Sequence, residues 1–346
     1  MATPSSAFIT AFRQFQLPAA MLPVFYSEAY NMGFGGIEKV LSPHPFDATK
    51  YRGVFKHLRA GPLASAFAPA RIMAPPAVAS DQDLLIAHSE EYLRSLKSST
   101  TVAHIAEVIT LAVLPIFMVN YGIVTPQRTM TSGTAFAAKA AMQAGWAINV
   151  GGGFHHASCN EGGGFCIFAD ISFAIKLLMR EGLQRAMIVD LDAHQGNGHE
   201  NDFAQDKDRV YILDVYNRDI YPGDRKAKSG MSLNVPVSSG IADAEYLQTV
   251  NESLDQALAQ FSPDLIVYNA GTDCLIHDSL GRMAVSEQGI LDRDEAVFRR
   301  ALSRNIPIVM VLSGGYQSSN SRVIARSIEN MVEKFDLLSR PWLVKQ

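Results

Sequence analysis

Three side chains able to bind cations and exchange protons sit within five residues: Asp190, Asp192 and His194. In an extended backbone, residues two apart point the same way, so all three would face one side. The run before them, Met187-Ile188-Val189, is apolar. Carboxylates at the end of such a run are ill suited to a dry core, where buried charge needs a cation or several donors. Asp192 and His194 can share one metal, with Asp273 at the end of another apolar run as third ligand. Two carboxylates and one imidazole, with room for water, suit a catalytic Zn²⁺. The other reading is a hydrogen-bonded strand terminus.

His155 and His156 follow a glycine triplet, Gly151-Gly152-Gly153, and a second triplet, Gly162-Gly163-Gly164, precedes Phe165. Glycine permits the unusual backbone that lets adjacent histidines face one site. Such a pair offers one imidazole that stays neutral as base and one that is cationic; a solvated loop is the alternative. Neither triplet has phosphate-loop spacing. Ser313-Gly314-Gly315-Tyr316 follows the apolar run 306–312. Its phenol can donate to a developing oxyanion or cap the sheet edge.

These groups need strands to carry them. Ile- and Val-rich runs at 146–150, 186–191, 210–215, 233–237, 265–269 and 306–312 read as strands covered on both faces. Helical patterns lie between them at 132–144, 171–181, 244–260, 287–304 and 322–335. The alternation predicts a three-layer α/β/α fold with a mainly parallel sheet of about eight strands, with ligands collecting beyond the carboxyl ends of the strands. Upstream, 21–26 and 71–73 read as strands, 47–59 and 89–96 as helices, and 115–128 as an extended loop.

The 346 residues carry 30 Lys+Arg against 34 Asp+Glu, with 48% hydrophobic and 18% charged. So low a charged fraction favours one large body, a single domain over 1–346 with its core at about 20–335. A net charge of −4 with no basic run argues against nucleic-acid binding, and the apolar content argues against disorder. The odd cysteine count, Cys159, Cys166 and Cys274, predicts no disulfide framework. No signal peptide or membrane span is read.

Taken together, these strings resemble the zinc-dependent histone deacetylases of the arginase–deacetylase superfamily, and within them the class IV branch. The resemblance is carried by Trp146-Ala147-Ile148-Asn149-Val150 leading into the glycine–histidine pair, and by DLDAHQGNGHE at 190–200. DVYNRDIYPGD at 214–224, YNAGTD at 268–273, His44-Pro45-Phe46-Asp47 and His88-Ser89-Glu90-Glu91-Tyr92-Leu93 complete it. It implies Zn²⁺ on Asp192, His194 and Asp273, His156 as general base, and His155 as its companion oriented by Asp190. Asn197 would orient His156, where several other branches hold Asp, leaving His156 less basic. Tyr316 would polarise the acyl carbonyl, Phe165 and Tyr221 would wall the acyl-lysine channel, and the Gly164 carbonyl would receive the substrate N–H. A structural K⁺ beside the backbone of Asp190, Asp192 and His194, with Asp214 as an extra ligand, is a further implication.

The implied reaction is hydrolysis of N-acyl-lysine amides, extending to long fatty acyl groups, on a protein or peptide substrate. A small acyl-amine such as an acetylpolyamine is the alternative substrate, and a non-catalytic acyl-lysine reader a different class of function. A binuclear manganese ureohydrolase fits less well, since Gly196 and Gly271 stand where further carboxylates are wanted. No Asp occurs between Asp83 and Asp170, where many deacetylases place one at the channel rim, so peptide recognition is loose or uses other groups. His57, His104, His199 and His277 read as surface or capping residues, His44 and His88 as fold support, and the cysteines as small buried groups. With no basic localisation cluster the expected compartment is the cytoplasm, the nucleus remaining open.

Overall fold

The computed structural model describes residues 6–33 and 49–339. The His44–Asp47 string, and the start of the helix expected from residue 47, lie outside them. Seven parallel strands form one sheet: β1 (Val24–Phe25), β2 (Trp146–Asn149), β3 (Ala186–Asp190), β4 (Val210–Asn217), β5 (Leu233–Val237), β6 (Leu265–Asn269) and β7 (Ile308–Val311), ordered β1-β2-β7-β6-β3-β4-β5. Among the described residues the expected sheet of about eight strands has seven. The stretch at 71–73 contributes only an isolated bridge, Met73 to Phe25.

Alternation along the strands divides two cores. Met187 and Val189 of β3 pack in one, with the helices Lys50–Ala60, Asp243–Gln260, Glu287–Ser303 and Asn320–Lys334. Ala186 and Ile188 pack in the other, with the helices Ala7–Gln14, Thr125–Ala144 and Asp170–Arg180. Period-two alternation with apolar residues on both sides produces this three-layer arrangement.

One sequence expectation is corrected. Residues 115–128 are helical: Pro115 caps Ile116–Val119, a π-helical turn follows at Asn120–Val124, and Thr125–Ala144 runs unbroken from there. Pro126 is the second residue of that helix, and the Gly122 carbonyl four residues before it, which its missing N–H leaves without a helical donor, accepts the Gly33 N–H instead (2.8 Å). The long helix is buried around most of its circumference, so it shows no polar stripe to betray it.

The strand order decides where chemistry can occur. β2, β7, β6 and β3 are four consecutive strands, and they carry the Gly151–His156, Ser313–Tyr316, Asn269–Asp273 and Asp190–His194 segments at their carboxyl ends. Segments as far apart in the chain as Gly153 and Ser313, which are 160 residues apart and hydrogen-bonded, are thereby gathered at the carboxyl ends of the strands, where open α/β sheets bind ligands.

Candidate active site

After β2 the chain turns through Gly152 and Gly153, both at positive φ (70° and 85°). The turn is held from beneath by Asp170, which accepts the N–H groups of Gly153 (2.9 Å) and Phe154 (2.7 Å) and the Thr134 hydroxyl (2.6 Å). His155 and His156 emerge with ring centroids 4.1 Å apart. His155 Nδ1 donates to Asp190 Oδ2 (2.9 Å), and His156 Nδ1 donates to Asn197 Oδ1 (2.8 Å).

The two imidazoles have opposite electrostatics. Burial acts against the charged form of both. For His155 the Asp190 and Asp192 carboxylates outweigh it and raise the pKa to about 9. His156 is pushed well below the ordinary histidine value by burial and by the neighbouring His155 and His194. His156 is therefore the neutral partner, with Nδ1 protonated and Nε2 free to take a proton.

Asp192, His194 and Asp273 place their donor atoms within 4.8 Å of one another, all buried. His194 Nδ1 lies 3.1 Å from Asp192 Oδ1 and 2.8 Å from Asp273 Oδ2. A Cβ at Gly314 would lie within 2.6 Å of both carboxylates, so glycine keeps the space beside them open. Burial, with the Asp192 charge beside it, pushes Asp273 up to about 7. Two buried carboxylates and one imidazole around a kept-open space fit a divalent cation of zinc type.

Tyr316 sits in a turn with Ser313 and Gly315 at positive φ, its ring centroid 6.3 Å from that of His194 and 5.9 Å from that of Phe165. Burial and the nearby Asp273 and Asp192 raise its pKa well above the usual value, so the phenol keeps its proton and can donate. Gly164 and Phe165 also take positive φ (49° and 69°), and a Cβ at Gly164 would run into the His156 ring. Phe165 is clamped from both sides: its N–H donates to the Ile105 carbonyl (3.0 Å), and its carbonyl accepts from Gln127 Nε2 (2.7 Å). Tyr221 stands edge-on to His156 at 5.0 Å. A cavity of about 380 Å³ is lined by His156, Gly164, Phe165, His194, Tyr221 and Tyr316, with Glu107, Asp219 and Arg282 among its other residues.

All eleven sequence-proposed site residues thus converge. Asp214 pairs with Asp190 across β3 and β4, and its Oδ1 has no hydrogen-bond donor among the described residues. His199 departs from expectation. It is 1% exposed, and its Nε2 donates to Asp190 Oδ2 (2.8 Å), because the short helix Asn197–Asp202 turns this side chain in beneath β3. His57, His104 and His277 are exposed. His88 is buried against Tyr92 and Phe168, as a fold-supporting residue would be. Cys166 and Cys274 are buried, whereas Cys159 is only half-buried; all three are free thiols.

Sequence reading missed Asp170, Gln127, Lys50 and Asp278, which hold site loops, and Glu107 at the cavity, and gave no role to Asn269 within the string 268–273. Asp278 lies five residues beyond Asp273 in the same stretch, and Asp170 heads a recognised helix. Those positions were the only signals. Among the described residues no helix is long and apolar enough to cross a membrane.

Comparison with known proteins identifies the family. The histone deacetylase domain family matches residues 44–335. The chain is 48% identical over 328 residues to histone deacetylase 2 of Arabidopsis thaliana, covering 94% of this chain and 83% of that protein. It is 28% identical over 227 residues to the acetoin utilization protein AcuC of Bacillus subtilis, covering 61% of this chain and 58% of that one. The crystal structure of the HDA15 HD domain shares the fold with a TM-score of 0.71 at 22% identity, covering 93% of this chain and 90% of that one. With the family matched over most of its length, the chain belongs to the histone deacetylase domain family of hydrolases.

Proposed function

We propose that this chain hydrolyses N-acyl-lysine amides, with His156 as general base and Tyr316 as oxyanion donor. The observation that carries this reading is the His156–Asn197 hydrogen bond at 2.8 Å. It fixes the proton on Nδ1 and leaves Nε2 as acceptor beside the cavity that His194 and Tyr316 also line. Asp192, His194 and Asp273 would hold one Zn²⁺, which supplies Lewis-acid polarisation of the acyl carbonyl and activation of water when bound.

The chain's own residues then have defined tasks. Phe165 and Tyr221 wall the channel and exclude water from the alkyl stem, and the Gly164 carbonyl accepts the substrate N–H. His156 Nε2 takes a proton from the attacking water and returns it to the departing amine. His155, kept cationic against Asp190, stays in place as an electrostatic companion, and the Tyr316 hydroxyl donates to the oxyanion as it develops. A structural K⁺ would sit beside the Asp190–His194 backbone. The unpaired Asp214 Oδ1 supports that assignment, since burial, Asp190 and Glu200 hold Asp214 far above the usual carboxylate range without a cation.

The class IV assignment rests on the strings around Asp190–Glu200 and Asp214–Asp224, with Asn197 in place of Asp. Acceptance of longer fatty acyl groups is part of the proposal. The segment between the two clamps on Phe165 exposes the side chains of Ile109, Val113, Phe117 and Tyr121. Glu107 and Asp219 at the cavity favour, as a second reading, a small cationic acyl-amine. The whole chain is proposed to act as one domain, since site residues span His155 to Tyr316.

One lysine peptide carrying acetyl, octanoyl or myristoyl, assayed beside an acetylpolyamine with zinc-loaded protein, tests all of this. Turnover of an acyl-lysine peptide that His156→Ala abolishes is the expected result. Tight acyl-peptide binding without turnover would convert the reading to a non-catalytic one, and turnover of the polyamine alone would move the substrate class.

A further inference from the structure

In the turn that carries Tyr316, Ser313 is held at φ 44°, a strained value for a residue with a side chain, so something outside the turn must hold its shape. Most of its backbone is tied to the helix Lys50–Ala60 and to the strand ends. Lys50 Nζ donates to the Ser313 and Gly314 carbonyls at 2.5 and 3.1 Å. The Gly314 carbonyl also accepts the Thr272 N–H at 3.1 Å, and the Gly314 N–H donates to Asp192 Oδ2 at 2.8 Å. These contacts fix residues 313 and 314. Tyr316 itself is held through its N–H, which donates to Asp278 Oδ2 at 2.9 Å.

Asp278 is well prepared for that bond. It is 3% exposed, and its other oxygen accepts the N–H groups of Leu280 (3.0 Å) and Gly281 (3.1 Å), so the carboxylate cannot swing away. A bond from a backbone N–H to a buried carboxylate is charge-assisted and stronger than one to a neutral acceptor. Asp278 also lies on the loop that begins at Asp273, built by the Leu275-to-Thr272 and Asp278-to-Leu275 backbone bonds. Gln317 Nε2, next to Tyr316, donates to the Ile276 carbonyl of that loop at 2.9 Å.

We propose that Asp278 is a positioning residue for Tyr316, setting the phenol's place relative to the carboxylate of Asp273 so that its hydroxyl meets the oxyanion. The proposal rests on the reading of Tyr316 as oxyanion donor. Asp278 touches neither substrate nor reacting atoms; it acts by indexing one site loop on another.

A double-mutant cycle on the zinc-loaded enzyme separates this role from a structural one. Asp278→Asn, Tyr316→Phe and the pair are compared for kcat, KM, melting temperature and the Kd of a peptide hydroxamate. Asp278→Asn is expected to lower kcat about 10- to 100-fold with KM within about threefold, because misplacing a preorganised donor costs chiefly in the transition state. In the Tyr316→Phe background, Asp278→Asn should have no further effect on kcat or on hydroxamate affinity. An equal loss in both backgrounds, or an unchanged kcat in the single variant, overturns the proposal. A fully active Tyr316→Phe overturns the oxyanion reading itself, which is a different result. Should Asp278→Asn fold poorly, Asp278→Ser, which keeps a short acceptor, enters the same cycle under the same criteria.

Discussion

His199 and Asp190 form a buried pair, with the imidazole Nε2 donating at 2.8 Å to the same Asp190 oxygen that His155 Nδ1 meets at 2.9 Å. Asp190 Oδ1 is occupied as well, by Asn269 Nδ2 (2.9 Å) and the Asp192 N–H (3.1 Å). One carboxylate thus serves four donors, and none of its lone pairs is left for water. Two histidines sharing an oxygen means that His199 fixes the carboxylate to which His155 is bound.

Replacing His199 with Phe should therefore cost stability and rate together. Loss of a buried hydrogen bond to a charged group is worth about 1.5–3 kcal/mol. Freed from one side, Asp190 and His155 should move enough to reduce kcat about tenfold, equivalent to about 1.4 kcal/mol. Urea unfolding and steady-state kinetics on one preparation check both. An unfolding midpoint and kcat equal to those of the parent protein would mean that the pair is inert.

Gly164→Ala should damage activity far more than folding. At φ 49°, alanine costs about 1–2 kcal/mol, and its Cβ has no room beside the His156 ring. His156 must yield, and a shift of about 1 Å in a proton-transfer group costs on the order of 100-fold in rate. The expected signature is a melting temperature lowered by a few degrees beside a kcat lowered by about two orders of magnitude. Equal activity in the variant would place the base elsewhere.

The pattern of legible and illegible features has a physical cause. Strands covered on both faces must be Ile- and Val-rich throughout, so β2, β3, β4, β6 and β7 announced themselves, as did their polar ends. Those ends hold Asp192, His194, Asp273 and the histidine pair as short strings, because neighbouring strand positions become neighbours in the site. Residues that work by gripping backbone do not show this way. Asp170 and Lys50 meet glycine-turn N–H groups or carbonyls contributed by other segments, and only the folded chain brings them together. Glu107 lines the cavity where an Asp was sought, because its loop is drawn in by the bond from the Phe165 N–H to the Ile105 carbonyl. His199 looked like a surface residue because nothing in its own stretch shows that the helix Asn197–Asp202 turns inward.

Removing the metal should loosen the molecule as well as silence it. Asp192 and Asp273 face one another in a buried space, and burial with Asp192's charge pushes Asp273 up to about 7. A cation bound to the native state and not to the unfolded chain stabilises it by mass action, about 4 kcal/mol at 1,000-fold excess over Kd. Dialysis against a chelator should lower the melting temperature and abolish turnover, and one equivalent of Zn²⁺ per chain should restore both. His194→Ala should show no response to added Zn²⁺. Full activity after complete chelation, with metal content below one tenth of an equivalent, would remove the metal from the mechanism.

Acid sensitivity should trace in part to His88, far from the proposed metal ligands in sequence and role. Burial lowers its pKa to about 4, and its Nε2 accepts the Ala169 N–H at 3.0 Å, a bond that requires the neutral ring. Unfolded, the side chain titrates near 6.5. Between pH 6.5 and 4 the unfolded chain therefore binds a proton that the native protein does not. Stability is fully present above pH 6.5 and falls as the pH drops through this window, by about 3 kcal/mol in all. His88→Gln can accept the same N–H through its side-chain oxygen but has nothing to protonate, so it should lose less stability between pH 7 and 4.5 than the parent protein. Urea unfolding of both proteins across that range measures the difference. Parallel stability curves would show that His88 does not carry the acid response.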